Sequence, residues 1–167
     1  MSTIHELGNA LRARRTEMGL SQARVATLSG LSRQTINQIE TGAIPDLRIN
    51  KAERLASVLG LVLRVDTGGL ARTTGIRKSP LLRAAATASV SYKRRVAPTT
   101  LKRILETGQM PEKYMPHVSS LLDDAPVSLL SAVAEQLNEE ANLSRESVWK
   151  NYRCLARQVK SRRPIWK

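Results

Sequence analysis

The sequence predicts an all-α, mainly helical fold in two units, with one short strand closing the first. Three observations carry this reading. Apolar residues recur at three- and four-residue spacing through most of the 167 residues. Gly, Ser and Pro fall where helix starts and stops belong. One run alone, Leu61-Val62-Leu63-Arg64-Val65, alternates in the manner of a strand.

The first 60 residues read as four short helices. In the first, Ile4, Leu7, Leu11 and Met18 mark an apolar stripe, with Ala10 filling in, and Gly19 ends it. Ser21 caps a second helix from about Gln22 to Leu28, which Gly30 breaks. Ser32 caps a third, whose inward face is Thr35, Ile36 and Ile39. Thr41-Gly42 closes it, and Pro45-Asp46 turns the chain into a fourth helix ending at Gly60. Ile49, Ala52, Leu55, Ala56 and Leu59 supply the buried side of that helix. The strand at 61–65 follows.

Residues 67–78 are rich in Gly and Thr, lack apolar periodicity, and read as a linker between domains at 1–66 and 79–167. Beyond them, residues 79–91, 98–106, 111–123, 126–141 and 144–160 look helical. Pro98, Pro111 and Pro126 stand at helix starts, where a missing N–H costs little. Leu121, Leu122, Leu129, Leu130, Val133 and Leu137 are enough for a small core.

Lys and Arg number 27 against 14 Asp and Glu, a net charge of +13. That surplus implies a polyanionic partner, nucleic acid or an anionic surface. Residues 1–66 carry +3 and residues 67–167 carry +10. There is no Phe, and Tyr and Trp together number five, which argues against a base-stacking module for single strands. The one cysteine, Cys154, excludes an intramolecular disulfide and reads as a packing residue. With no leader-like or membrane-spanning run, the expected compartment is the cytoplasm, with no membrane partner.

Helices two and three carry the most specific signal. Ala26 is small enough for a close helix crossing, Gly30 supplies positive φ at the turn, and Leu31 plugs the core just before the Ser32 cap. This is a helix-turn-helix pattern, in which the second helix enters the DNA major groove. Arg33, Gln34, Thr35, Asn37 and Gln38 crowd that helix. Arg can bridge a guanine edge, Gln and Asn can pair with adenine, and a Thr methyl can meet a thymine methyl. These five are the expected base contacts. Ser21, Gln22, Ser32 and Arg48 are the expected phosphate contacts, Gln22 because a helix N-terminus attracts anions and Arg48 for its place near the fourth helix start.

Leu11-Arg12, Arg15, Gly19-Leu20-Ser21-Gln22, Val25-Ala26, Gly30-Leu31-Ser32, Thr35-Ile36, Ile39-Glu40-Thr41-Gly42, Pro45 and Leu55-Ala56 through Leu59-Gly60 stand in register with one known pattern. The segment from about Leu7 to Val65 resembles the XRE-type family of helix-turn-helix repressors, which includes lambdoid phage repressors and antitoxin-type autoregulators. The resemblance implies a five-element helix-turn-helix domain and a partly buried salt bridge between Arg15 and Glu40. It implies that Gln22 touches phosphate and braces the recognition helix. It also implies a homodimer on double-stranded DNA. The strand residues Leu61, Val62, Leu63 and Val65 either pair with their copy across the two-fold axis, as in some relatives, or cover their own core.

The second part admits several readings. Its last helix places Val148, Tyr152, Leu155 and Val159 on one side. Arg145, Lys150, Arg153, Arg157, Lys160, Arg162 and Arg163 make its surroundings basic, for phosphate, for an acidic protein partner, or for solvent. Ile39-Glu40-Thr41-Gly42-Ala43-Ile44-Pro45 resembles Leu105-Glu106-Thr107-Gly108-Gln109-Met110-Pro111 at an offset of 66. Residues 80–123 are therefore either a degenerate second helix-turn-helix, with Lys102 and Arg103 facing out, or a segment with an ordinary helix ending.

An enzyme is not expected. His5 and His117 have no metal-ligand spacing with Cys154, no Gly-rich phosphate loop occurs, and no cofactor is implied. Met18, Met110 and Met115 read as core. The leading expectation is a dimeric, sequence-specific DNA-binding repressor or autoregulator using helix 32–40. The alternatives are an antitoxin-type protein whose second part neutralises a toxin or other protein, and a nonspecific architectural DNA coater.

Overall fold

A computed structural model describes residues 3–44, 46–63, 79–90, 92 and 95–167. The expected linker at 67–78 lies outside them, as do Arg64 and Val65. The helices are α1 (Thr3–Glu17), α2 (Gln22–Ser29), α3 (Arg33–Glu40) and α4 (Ile49–Val58). After these come α5 (Pro80–Ala88), α6 (Pro98–Thr107), α7 (Met115–Asp124), α8 (Val127–Ala141) and α9 (Arg145–Gln158). Single 3₁₀ turns occupy Glu112–Tyr114 and Pro164–Trp166.

The first four helices pack as the apolar spacing requires. Leu11, Val25, Ile36 and Ile39 lose all solvent contact, and Leu55 and Leu59 nearly all. The crossing of α1 over α3 is close because residue 8 has no side chain. A Cβ there would stand 2.2 Å from the Ile39 carbonyl oxygen. Gly8→Ala should therefore force the helices apart and cost ~1–3 kcal/mol, the usual penalty of overpacking, read as a lowered urea midpoint with an unchanged m-value.

In the rest of the chain, α5 packs on α6, α7 and α8, while α9 runs against α6, α7, α8 and α1. Along α9 the stripe Val148, Trp149, Tyr152, Leu155 and Ala156 is buried. The rings of Trp149 and Tyr152 meet edge-to-face at 5.3 Å, and Trp166 closes over both. The Tyr152 hydroxyl donates to the Leu130 carbonyl at 3.2 Å, and burial pushes its ionisation well up, so it stays neutral. Buried side chains of both halves, Leu11 and Ile36 together with Leu121 and Leu155, belong to one continuous cluster.

The basic residues around α9 divide into two sets. Arg153 donates to the Met18 carbonyl and Arg163 to those of Leu122 and Ala125. Arg145 pairs with Glu17 at 3.1 Å and Glu135 at 3.4 Å. Lys150, Arg157, Lys160 and Arg162 are exposed.

Several expectations are corrected. No strand forms over 61–63. Leu61 donates its N–H back to Ala56 at 2.8 Å, finishing α4 by a helix-terminating bond, and no strand among the described residues offers it a ladder. Leu61 is half-buried, whereas Val62 and Leu63 are exposed, so the alternation reflects the end of a helix meeting solvent. Ile49 is 69% exposed rather than buried, because the first residue of α4 overhangs the core. Ala10, Cys154 and Met115 are exposed too, with Cys154 on the outer face of α9 accepting from Gln158. Lys102 does not face out freely, being paired with Glu140 at 2.6 Å.

Candidate nucleic-acid interface

Three residues join α2 to α3. Gly30 adopts φ 64°, a left-handed conformation that an L side chain resists, and its N–H returns to the Ala26 carbonyl. Leu31 packs half-buried on the core. Ser32 then turns the chain. Its hydroxyl accepts from the Thr35 N–H at 3.0 Å and lies 2.8 Å from the Thr35 hydroxyl. Ser21 caps α2 in the same way, accepting from the Arg24 N–H at 3.0 Å. Both serines thus fix helix starts, occupying the Thr35 and Arg24 N–H groups and leaving the first two N–H groups of each helix to meet an anion.

Alpha-helical spacing sorts α3 cleanly. Ile36, Ile39 and Glu40 are buried. Arg33, Gln34 and Asn37 are exposed, and Thr35 and Gln38 sit at the flanks, half-buried. Of the five expected base contacts, three therefore project fully. With its hydroxyl held by Ser32, Thr35 offers chiefly its methyl group.

A polar brace lies behind this face. Glu40 is 4% exposed. It accepts two bonds from the Arg15 guanidinium, at 2.6 Å from Nε and 2.9 Å from Nη2, while Arg15 Nη1 also donates to the Leu20 carbonyl. The Gln22 amide donates to Glu40 Oε2 at 3.0 Å and to Asn37 Oδ1 at 3.3 Å. Burial alone would raise the Glu40 pKa. The hydrogen bonds from Arg15 and Gln22 and the charges of Arg15 and Arg12 outweigh it, so the carboxyl sits below its ordinary value. The brace joins α1, α2 and α3 at one point and fixes how far Asn37 projects.

The sequence reading had Gln22 bracing α3 through the resemblance but missed Asn37 as its partner, since no spacing rule links positions on different helices. It also missed Arg54. That guanidinium reaches from α4 to the Ser29 carbonyl at 2.7 Å and covers the negative end of α2. Arg48 is exposed immediately before α4 and makes no capping bond through its side chain. Among the described residues no group of three or more His, Cys, Asp or Glu side chains is placed to hold a metal ion, and no helix is long and apolar enough to cross a membrane.

Residues 6–67 match a family model described as a helix-turn-helix domain. No curated protein and no solved structure matches the chain with significance. The all-helical N-terminal unit, with α2, a three-residue turn and α3, thus has the helix-turn-helix arrangement that this family model describes.

Proposed function

We propose that this helix-turn-helix chain is a sequence-specific transcriptional regulator that lays α3 in the major groove of duplex DNA and represses the genes whose control sites it covers. One observation carries the reading. Arg33, Gln34 and Asn37 project from a helix whose opposite side is anchored by Ile36, Ile39 and the buried Glu40 brace. Those three side chains carry the forked donor and acceptor sets that read guanine and adenine edges. Gln22, Arg48 and the starts of α2 and α3 supply the phosphate contacts that set register. A helix of eight residues spans few base pairs, so two copies bind as a dimer to inverted half-sites about one turn apart.

Selection of duplexes from a random library by the full-length chain tests the reading. The expected result is one recovered motif of two inverted half-sites, bound ~10³-fold or more tighter than scrambled DNA at the same salt. Equal affinity for every duplex would refute it and favour a nonspecific coater.

A further inference from the structure

The similarity between residues 39–44 and 105–110 extends into three dimensions. With an offset of 66, Ile39 falls on Leu105, and both are fully buried. Gly42 and Gly108 have φ 69° and 67°. The Thr41 hydroxyl donates to the Asn37 carbonyl, and the Thr107 hydroxyl to that of Arg103, both at 2.8 Å. The outward positions coincide as well. Arg33, Asn37 and Thr41 of α3 correspond to Thr99, Arg103 and Thr107 of α6, all exposed, and Gln34 corresponds to Thr100. The exposed positions thus match, although the buried side is turned: Ile36 falls on the half-buried Lys102, and Leu101 and Ile104 take core places where α3 has Thr35 and Gln38. The two differ in how they are entered, by three residues before α3 and nine before α6.

The chemistry on that face differs in kind. An open groove of about 840 Å³ runs between α6 and the turn at Glu112–Tyr114. Thr99, Thr100, Arg103, Thr107, Gln109 and Lys113 supply its polar lining. No carboxylate lines it; Glu112 stands exposed at its border, and Glu106 points to Lys102. Arg103 forms no ion pair among the described residues, and Lys113 lies 5.0 Å over the Tyr114 ring. Hydroxyls and cations predominate there, with one carboxamide, Gln109, against the outward pair Gln34 and Asn37 of α3, and hydroxyls and cations are the donors that hold phosphate.

We propose that the α6 groove is a second DNA-binding site, which grips the sugar–phosphate backbone of duplex DNA through Arg103, Lys113 and the Thr99 and Thr100 hydroxyls. The identity of the polyanion rests on the reading of α3 as a DNA-contacting helix; the site itself does not.

The test compares the full chain with R103A/K113A and with Q34A/N37A, on the duplex recovered by selection and on a scrambled duplex. Both side chains in R103A/K113A are exposed, so its melting temperature should hold. Its preference between the two duplexes should also hold, while its salt response weakens by two phosphates. Raising salt from about 50 to about 200 mM should then cost the wild type ~12-fold more affinity than it costs the variant. R103K/K113R should restore the wild-type response. In Q34A/N37A the preference falls and the salt response stays. An unchanged salt response in R103A/K113A overturns the α6 site. A wild type without preference between duplexes refutes base reading by α3 and leaves the R103A/K113A comparison on scrambled DNA to decide α6.

Discussion

Replacing Arg15 by alanine is expected to destabilise the chain by ~3–5 kcal/mol, because it strands a buried carboxylate. Glu40 is 4% exposed and takes two of its bonds from Arg15. Gln22 alone cannot satisfy it. Glu40→Gln should cost less, since the amide oxygen still accepts from Arg15 and the charge left unpaired sits on the more exposed Arg15, although the amide nitrogen can no longer accept. Urea denaturation at neutral pH reads the difference; equal stability of R15A and wild type would show that the brace contributes nothing. The pH dependence has a definite sign. The native carboxyl titrates below its unfolded value of 4.5, so the unfolded chain takes up the proton first as pH falls. The contribution of Glu40 is therefore complete above about pH 5.5 and fades as pH drops below the unfolded value toward the native one. E40Q should lack that part of the acid destabilisation, which a comparison of urea midpoints from about pH 6 to about pH 3 detects.

The second large effect concerns recognition. Gln34→Ala and Asn37→Ala should each remove ~1–3 kcal/mol of discrimination between the selected duplex and one altered at the contacted base pair. The losses should differ in character. Gln34 is exposed on the first turn of α3 and forms no side-chain bond among the described residues, so its removal should act at one base position. Asn37 accepts from Gln22, so its loss also removes one of that amide's two bonds and leaves the one to Glu40. Gln22→Ala should consequently reproduce part of the N37A defect while leaving Q34A unaffected. Titration against a panel of single-base variants separates these cases. Equal weakening on all duplexes would show that α3 contributes charge and shape but reads no bases.

The helices were legible because their physics is local. Ser32 followed by Thr35, and Gly30 before Leu31, announce a cap and a turn within four residues. The pairing of Arg15 with Glu40 was accessible through resemblance alone, as nothing in the spacing of two helices 25 positions apart specifies contact. The run misled over 61–63, its described part, because alternation over three residues fits a strand and a helix end equally, and only a partner ladder separates the two. Ile49 shares the stripe of Ala52 and Leu55, yet a stripe does not tell where the neighbouring surface stops. The face of α6 was half visible. Glu-Thr-Gly marked the similarity to the end of α3, but Lys102 and Arg103 looked alike until Glu140, from another helix, claimed the lysine.

The fastening of α9 to α1 bears on how such a chain can be recombined over evolutionary time. Arg145 reaches Glu17, Arg153 reaches the Met18 carbonyl, and on the neighbouring side Arg24 reaches the Pro164 carbonyl. The N-terminal helices are soldered to the rest of the chain by these three guanidiniums and by a shared interior. They are no cassette to be spliced onto an unrelated tail, because a new tail would have to bring its own arginine for that carbonyl and its own filling for the seam. Substitutions in α1 and α9 at these contacts should therefore be energetically coupled, since they share partners.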